Sequence, residues 1–243
     1  MTWEFELSGD AWVLDQLVQA LQKREVTILK QNGSFFLVGN VFDGIESAND
    51  ASKAAGVELN KINGLAVLHM GLKTPLQIKA VASFPDGGTN KSIYLAAQVA
   101  TIETHLSVTV TDAQGNVVSR SPSHEDVIAG LGSAATDKNI HKALRLLGSG
   151  DLSWVNLHRI CEVIEGDVGN EHELKKKGWV PVDKLELFSR TANSPAAVGD
   201  AARHGRQSGE PPKEPMQLHE AQELIKGLVR KWMDKKGRVR SSH

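Results

Sequence analysis

Arg203-His204-Gly205 is the constellation in this chain whose residue types most directly suit chemistry. A guanidinium beside an imidazole can stabilise an anion next to a proton donor or acceptor, which phosphodiester chemistry needs. The same pair can instead cap helix ends or hydrogen-bond a loop, so both roles stay open on the residues alone. Asn193, Ser194 and Pro195, just upstream, read as turn formers. Other chemistries lack their spacing. Nine histidines are scattered, and none forms a metal pair at helical or zinc-binding intervals. There is no G-x-x-x-x-G-K phosphate loop and no G-x-S-x-G nucleophile turn. Gly130-Leu131-Gly132 lacks the third glycine and the preceding strand of a dinucleotide site. The candidate catalytic residues are therefore His204 and Arg203, with no cofactor and no metal expected.

The elements around that triplet are legible. Pro211, Pro212 and Pro215 forbid helix before about Met216. Leu218, Ala221, Ile225, Leu228 and Trp232 then recur at steps of three and four, which places them on one helix face. Gln217 stands at the N-cap position, and Glu220 can reach back to it. Met216 and Ala221 are spaced as a hydrophobic staple. Lys235 and Lys236 suit a helix C-terminus, and Gly237 can end the helix. Such a stripe must dock on apolar surface, in this chain or another.

Upstream, the chain changes period near residue 122, which predicts an α+β domain over 1–122 and a helical domain over 123–243. Trp3, Phe5 and Leu7 alternate with polar residues as in a half-buried strand. Residues 26–30 and 34–39 flank Asn32-Gly33, a strong hairpin signal. Ile78, Ala80, Ala82 and Phe84 alternate before a turn at Pro85-Asp86-Gly87-Gly88. Ile93, Leu95, Ala97 and Val99 follow at odd positions, then Ile102, Leu106, Val108 and Val110 at even ones. That switch predicts a bulge near Ala100. Gly115-Asn116 offers a turn before Val117 and Val118. Helices are expected from about Asp10 to Gln22, with Trp12 among its apolar residues, and from Glu46 to Ile62, where Asn63-Gly64 would stop the second. An antiparallel sheet with helices on one face is the economical packing. In the second half, residues 125–147 read as helical. Asp151 is a plausible N-cap for a helix to Glu165 carrying Trp154, Leu157, Cys161 and Ile164. Val182 to Ser189 makes a short helix after Pro181.

The chain has 243 residues, 40% hydrophobic and 23% charged, with a formal net charge of −1. That composition predicts a soluble globular protein without a global field toward nucleic acid or membrane. No apolar run reaches membrane-spanning length, and Glu4 and Glu6 are at odds with a signal peptide, so a cytoplasmic protein of bacterial type is expected. The single cysteine, Cys161, reads as a buried structural thiol. Lys226, Arg230, Lys231, Lys235, Lys236, Arg238 and Arg240 make the C-terminal stretch basic. A solvated helix face with a frayed tail, or a nucleic-acid contact, would each account for it.

Trp154, Leu157, Ile160 and Glu162, then Phe188, Ala192-Asn193, Arg203-His204-Gly205, Pro215-Met216, Glu220-Ala221 and Trp232, form a pattern over roughly residues 125–235 that resembles an uncharacterised bacterial family. More distantly it is similar to the HEPN superfamily. That resemblance implies a small helical bundle that often dimerises, and in many members a metal-independent ribonuclease of toxin or phage-defence systems. The superfamily's catalytic pattern is an Arg followed by His after four to six residues. No Arg precedes His204 at that interval; Arg190 lies too far, and Arg238 with His243 meets it only in the tail. The resemblance therefore carries His204 over as an acid or base and Arg203 as an anion partner, on a rebuilt pattern. The leading expectation is a binding or regulatory protein without its own catalytic site. In it, an α+β sensor or partner-binding domain precedes a helical domain that meets a protein partner or a second copy. The alternative is a ribonuclease-like effector using His204 and Arg203.

Overall fold

The computed structural model describes residues 2–84, 92–95 and 124–240. It is an α+β fold, with an antiparallel sheet in the first part and helices after it. The chain divides into two compact units between Leu131 and Gly132.

The first unit begins with β1 (Thr2–Ser8), α1 (Ala11–Ala20), β2 (Val26–Gln31), β3 (Ser34–Gly39), α2 (Ala48–His69), β4 (Gln77–Phe84) and β5 (Ser92–Leu95). The strands lie in the order β2-β3-β1-β4-β5, each pair antiparallel. Asn32 and Gly33 both have positive φ, +50° and +82°, as a two-residue hairpin turn matched to strand twist requires. Trp3, Phe5 and Leu7 are buried together with Ile28 and Leu37. Phe5 meets the Phe42 ring edge-on at 5.0 Å.

The alternation read along β4 captures one of two buried faces, since Ala80, Val81, Ala82 and Ser83 are all buried. Val81 stands opposite Phe5 and Ser83 opposite Trp3, so these two share the core side, while Ala80 and Ala82 stand opposite Glu6 and Glu4. A register shift between Glu6 and Leu7 then brings Ile78 opposite Leu7. One extra residue in one strand flips every side chain beyond it, which a strict period of two cannot register. The segments read around Pro85-Asp86-Gly87-Gly88, from Ala97 to Val110 and at Gly115-Asn116, Val117 and Val118 lie outside the described residues, as does the bulge expected near Ala100.

Two helix expectations in this unit are corrected. Trp12 is exposed, and α1 buries Val13, Leu14, Leu17 and Ala20 instead, with the Asp10 carboxylate accepting from the Trp12 and Val13 N–H groups. Helix α2 does not stop at Asn63-Gly64 but runs on to His69. The reason is a tertiary partner: Asn63 Nδ2 donates to the Leu76 carbonyl at 3.0 Å, and its Oδ1 accepts from the Leu76 N–H at 3.1 Å. An amide satisfied at both ends by another segment no longer competes for its own helix backbone.

The second unit takes up the rest of α3 (His124–Thr136) and continues with α4 (Lys138–Leu147), α5 (Trp154–Val168), α6 (Glu171–Lys176), α7 (Val182–Ala192), α8 (Pro195–Val198) and α9 (Leu218–Arg240). The 125–147 segment is thus two helices, broken where Asp137 caps α4 by accepting from Asn139 and Ile140. Ser153, not Asp151, caps α5; Asp151 instead accepts from the Ser153 N–H at 3.1 Å. Trp154, Leu157, Cys161 and Ile164 are buried on one face of α5. Burial, with Glu165 alongside, pushes the Cys161 thiol far above its ordinary value, so it stays a protonated packing residue that donates toward Glu165 Oε1.

Helix α9 starts as its sequence predicts, with Glu220 Oε2 accepting the Gln217 N–H at 2.9 Å. It does not end at Gly237 but continues to Arg240. Its buried stripe is Ala221, Ile225, Leu228, Val229, Trp232 and Met233, while Leu218 is exposed. A polar staple fixes the far end. Lys236 Nζ lies 2.7 Å from Asp137 Oδ2 and 2.6 Å from Asp167 Oδ1. Trp232 Nε1 donates to Asp167 Oδ2 at 2.8 Å, and Asn139 Nδ2 to Asp167 Oδ1 at 2.8 Å. Lys236, read as part of a solvated basic tail, therefore ties α9 to α4 and α5.

Burial opposes the charge on Asp137 and Asp167, but the Lys236 ammonium outweighs it, helped by backbone N–H groups at Asp137 and by Asn139 and Trp232 at Asp167. Both carboxyls end below the ordinary aspartate value. A carboxylate depressed in the fold adds stability above its unfolded value and loses it as pH falls through the folded one. Lys236→Met should thus cost about 1–3 kcal/mol at neutral pH, between the figures for exposed and buried pairs. The gap to the unchanged protein should begin to close as pH falls below about 4, the unfolded aspartate value, and vanish below the lower folded values. Urea denaturation across that range checks it, and a gap independent of pH would contradict the pairing.

Candidate functional site

The Arg203–His204 loop is built by the end of α7 and the segment after α8. Helix α7 runs on to Ala192, past the Ser189 end expected, and Asn193 closes it. The Arg203 N–H donates to the Ala192 carbonyl at 2.8 Å, folding the chain back onto that helix end. Gln207 clasps the loop from inside: its Oε1 accepts from Ser194 Oγ at 2.9 Å and the Ala196 N–H at 3.1 Å, while its Nε2 donates to the Gly209 carbonyl at 3.0 Å. Thr191 Oγ1 accepts the Met216 N–H at 3.2 Å, which anchors the proline segment just before α9. These side-chain bonds to backbone and hydroxyl groups fix the shape of the loop.

Within that frame Arg203 and His204 are brought together, but Arg203 is already engaged. Its guanidinium forms an ion pair with Glu162 of α5 through Nη2, and Nη1 lies 3.5 Å from Asn193 Oδ1. Nη1 also lies 3.2 Å from His204 Nε2. A guanidinium has donors only, so in this geometry the imidazole nitrogen is the acceptor. For Nε2 to give up a proton, this contact would have to break. Asn193, read as a turn former, is at once the cap of α7 and a partner of Arg203.

Behind this pair stands His158, 8% exposed and stacked on Phe188 with ring centroids 5.9 Å apart. Burial first, then the neighbouring Arg203 charge, lower its proton affinity, against a smaller opposite pull from Glu162. Its Nδ1 lies 3.6 Å from Glu162 Oε1, beyond hydrogen-bonding distance, and has no hydrogen-bond partner among the described residues. Glu162 thus faces a neutral imidazole on its own helix and a guanidinium from the loop, and its charge goes to the guanidinium.

Beside His204 opens a cleft of about 450 Å³ whose lining includes Ser189, Arg190, Asn193, Gln207 and Glu210. Arg190 is exposed and has no ion-pair partner among the described residues. The arrangement can bind a group of negative charge through Arg190, with hydroxyl and amide groups around it and the Glu210 carboxylate in the same lining. Glu162, His158 and Arg190 were given no role by the sequence. Glu162 lies forty-one residues before Arg203 and His158 four residues before Glu162, so no local spacing ties any of them to the Arg-His pair. Among the described residues no group of three or more His, Cys, Asp or Glu is placed to hold a metal ion, and no helix is long and apolar enough to cross a membrane.

Comparison with protein-family models, with characterised proteins and with solved structures finds no match.

Proposed function

We propose that this is a cytoplasmic bacterial binding or regulatory protein, in which the helical unit presents the cleft beside His204 to an anionic group of a ligand or partner. The observation that carries this reading is the ion pair between Arg203 and Glu162. It takes away the charge that would stabilise an anion next to His204 and spends it on holding the loop in place. Arg203 and His204 then act as positioning residues for the cleft, and Arg190 supplies the charge that meets the ligand.

The experiment is an amide-resolved NMR titration of the full chain with inorganic phosphate, adenosine monophosphate and glutamate as probes. Shifts should concentrate at Asn193, His204 and Gln207 with at least one probe, and Arg190→Ala should abolish them without moving the thermal midpoint. No shift from any probe would remove the anion-binding reading. The same protein should leave RNA intact in the presence of a chelator. Metal-independent cleavage that disappears in a folded His204→Ala variant would replace this reading with the HEPN-like ribonuclease one.

A further inference from the structure

Helix α4 carries Lys138, Lys142 and Arg145 at steps of four and three, so they share one face and span about 10 Å along it. Helix α5 packs against α4 and adds Arg159. Lys138, Lys142 and Arg159 are exposed, and none of the four has an ion-pair partner among the described residues. The Nε donor of Arg145 is buried without an acceptor. On α9, Lys236 holds two aspartates and Lys226 pairs with Glu223 at 3.0 Å, while Lys231 and Lys235 are exposed. Four cations without an ion-pair partner among the described residues thus lie on the neighbouring helices α4 and α5.

Between the two helices runs a groove of about 370 Å³ lined by Lys142, Leu146, Arg159, Glu162 and Val163. We propose that this groove docks an acidic peptide segment of a partner protein, seating an aliphatic side chain of that segment between the cations. The charge complementarity is direct: unpaired cations flank the groove and ask for carboxylates. Leu146 and Val163 are half-buried and give it an apolar patch, which a leucine or isoleucine side chain would cover and a sugar-phosphate backbone would not. Glu162 lines the same groove, and its ion pair with Arg203 is made through Oε1. A polyphosphate chain bears a charge at every residue and would have to run past that carboxylate. A peptide can place its acids over Lys142 and Arg159 and offer Glu162 a backbone N–H. Among the described residues no aromatic ring lines the groove for bases to stack on. The groove shares no lining residue with the cleft at Arg190, so each proposal can fail alone.

The test uses the full chain and a short fluorescent peptide of Glu and Asp around two central leucines. Its controls are the same peptide with serines at those positions and a single-stranded oligonucleotide of similar length. The leucine peptide should bind at physiological salt. Loss of the leucines should weaken it by about tenfold, as should Lys142→Glu with Arg159→Glu, and Arg190→Ala should leave it unchanged. In the unaltered protein the amide signals of Leu146, Arg159 and Val163 should move on titration, a readout that does not depend on how the variant folds. Absence of peptide binding up to about 1 mM would overturn the proposal. So would tighter binding of the oligonucleotide, equal binding by the folded double variant, or shifts confined to other residues.

Discussion

Trp232→Ala should destabilise the helical unit by about 3–5 kcal/mol, the largest single effect expected in this protein. The side chain is fully buried, and it is the largest of the fully buried residues. Its truncation opens a cavity where α9 meets α5, because Ile225, Leu228 and Val229 on the same helix are rigidly held in the same stripe. The indole N–H also donates to Asp167, so the change removes a donor from a carboxylate that Lys236 and Asn139 must then satisfy alone. Trp232→Phe separates the two contributions. It keeps most of the volume and loses the hydrogen bond, and should cost about 1–2 kcal/mol. The measurement is chemical denaturation of the full chain followed by helical circular dichroism. An unchanged midpoint for Trp232→Ala would mean that this stripe does not hold the unit together.

The helix α9 shows what a sequence can carry. Its start is written in three prolines and in Glu220 reaching back to Gln217, both local signals with local causes. Its buried face was legible at Ala221, Ile225, Leu228 and Trp232, since the period of the stripe is itself the docking surface. Its far end was not. Gly237 reads as a stop, yet Lys236 one residue earlier is held by Asp137 and Asp167, whose positions ninety-nine and sixty-nine residues upstream no periodicity reports. The same holds at the site. Arg203 and His204 could be named from their types, but Glu162, which decides what Arg203 is able to do, lies on another helix. The basic stripe on α4 was available at Lys138, Lys142 and Arg145 in helical register. Helical spacing of three cations is also what an ordinary solvated helix face carries, so the spacing alone does not mark it.

Asn63→Ala should cost about 2–5 kcal/mol, the second largest effect expected, and it turns on a residue that local signals misassign. Asn63 followed by Gly64 has the composition of a helix stop, yet both lie buried inside α2. The Asn63 amide closes a two-bond bridge onto Leu76, donating to its carbonyl and accepting its N–H. Leu76 precedes β4, where a backbone not yet paired in the sheet needs partners. Alanine is the better helix former and would add roughly 0.5 kcal/mol of local preference. That gain is small beside two buried backbone groups left without partners at about 1–3 kcal/mol each. Leu76 also packs over Gly9, where a methyl group built on the glycine would come within 2.6 Å of its Cδ2 and 3.3 Å of its Cα. The bridge thus holds a segment wedged between α2 and the first turn of the chain. Asn63→Asp keeps the acceptor and loses the donor, and should fall between alanine and the unchanged protein at acid pH, where its carboxyl is protonated and can donate again. Hydrogen exchange at the Leu76 amide, which should speed up in Asn63→Ala as the midpoint drops, reads the bridge itself. A fast-exchanging Leu76 amide in the unchanged protein would overturn this account.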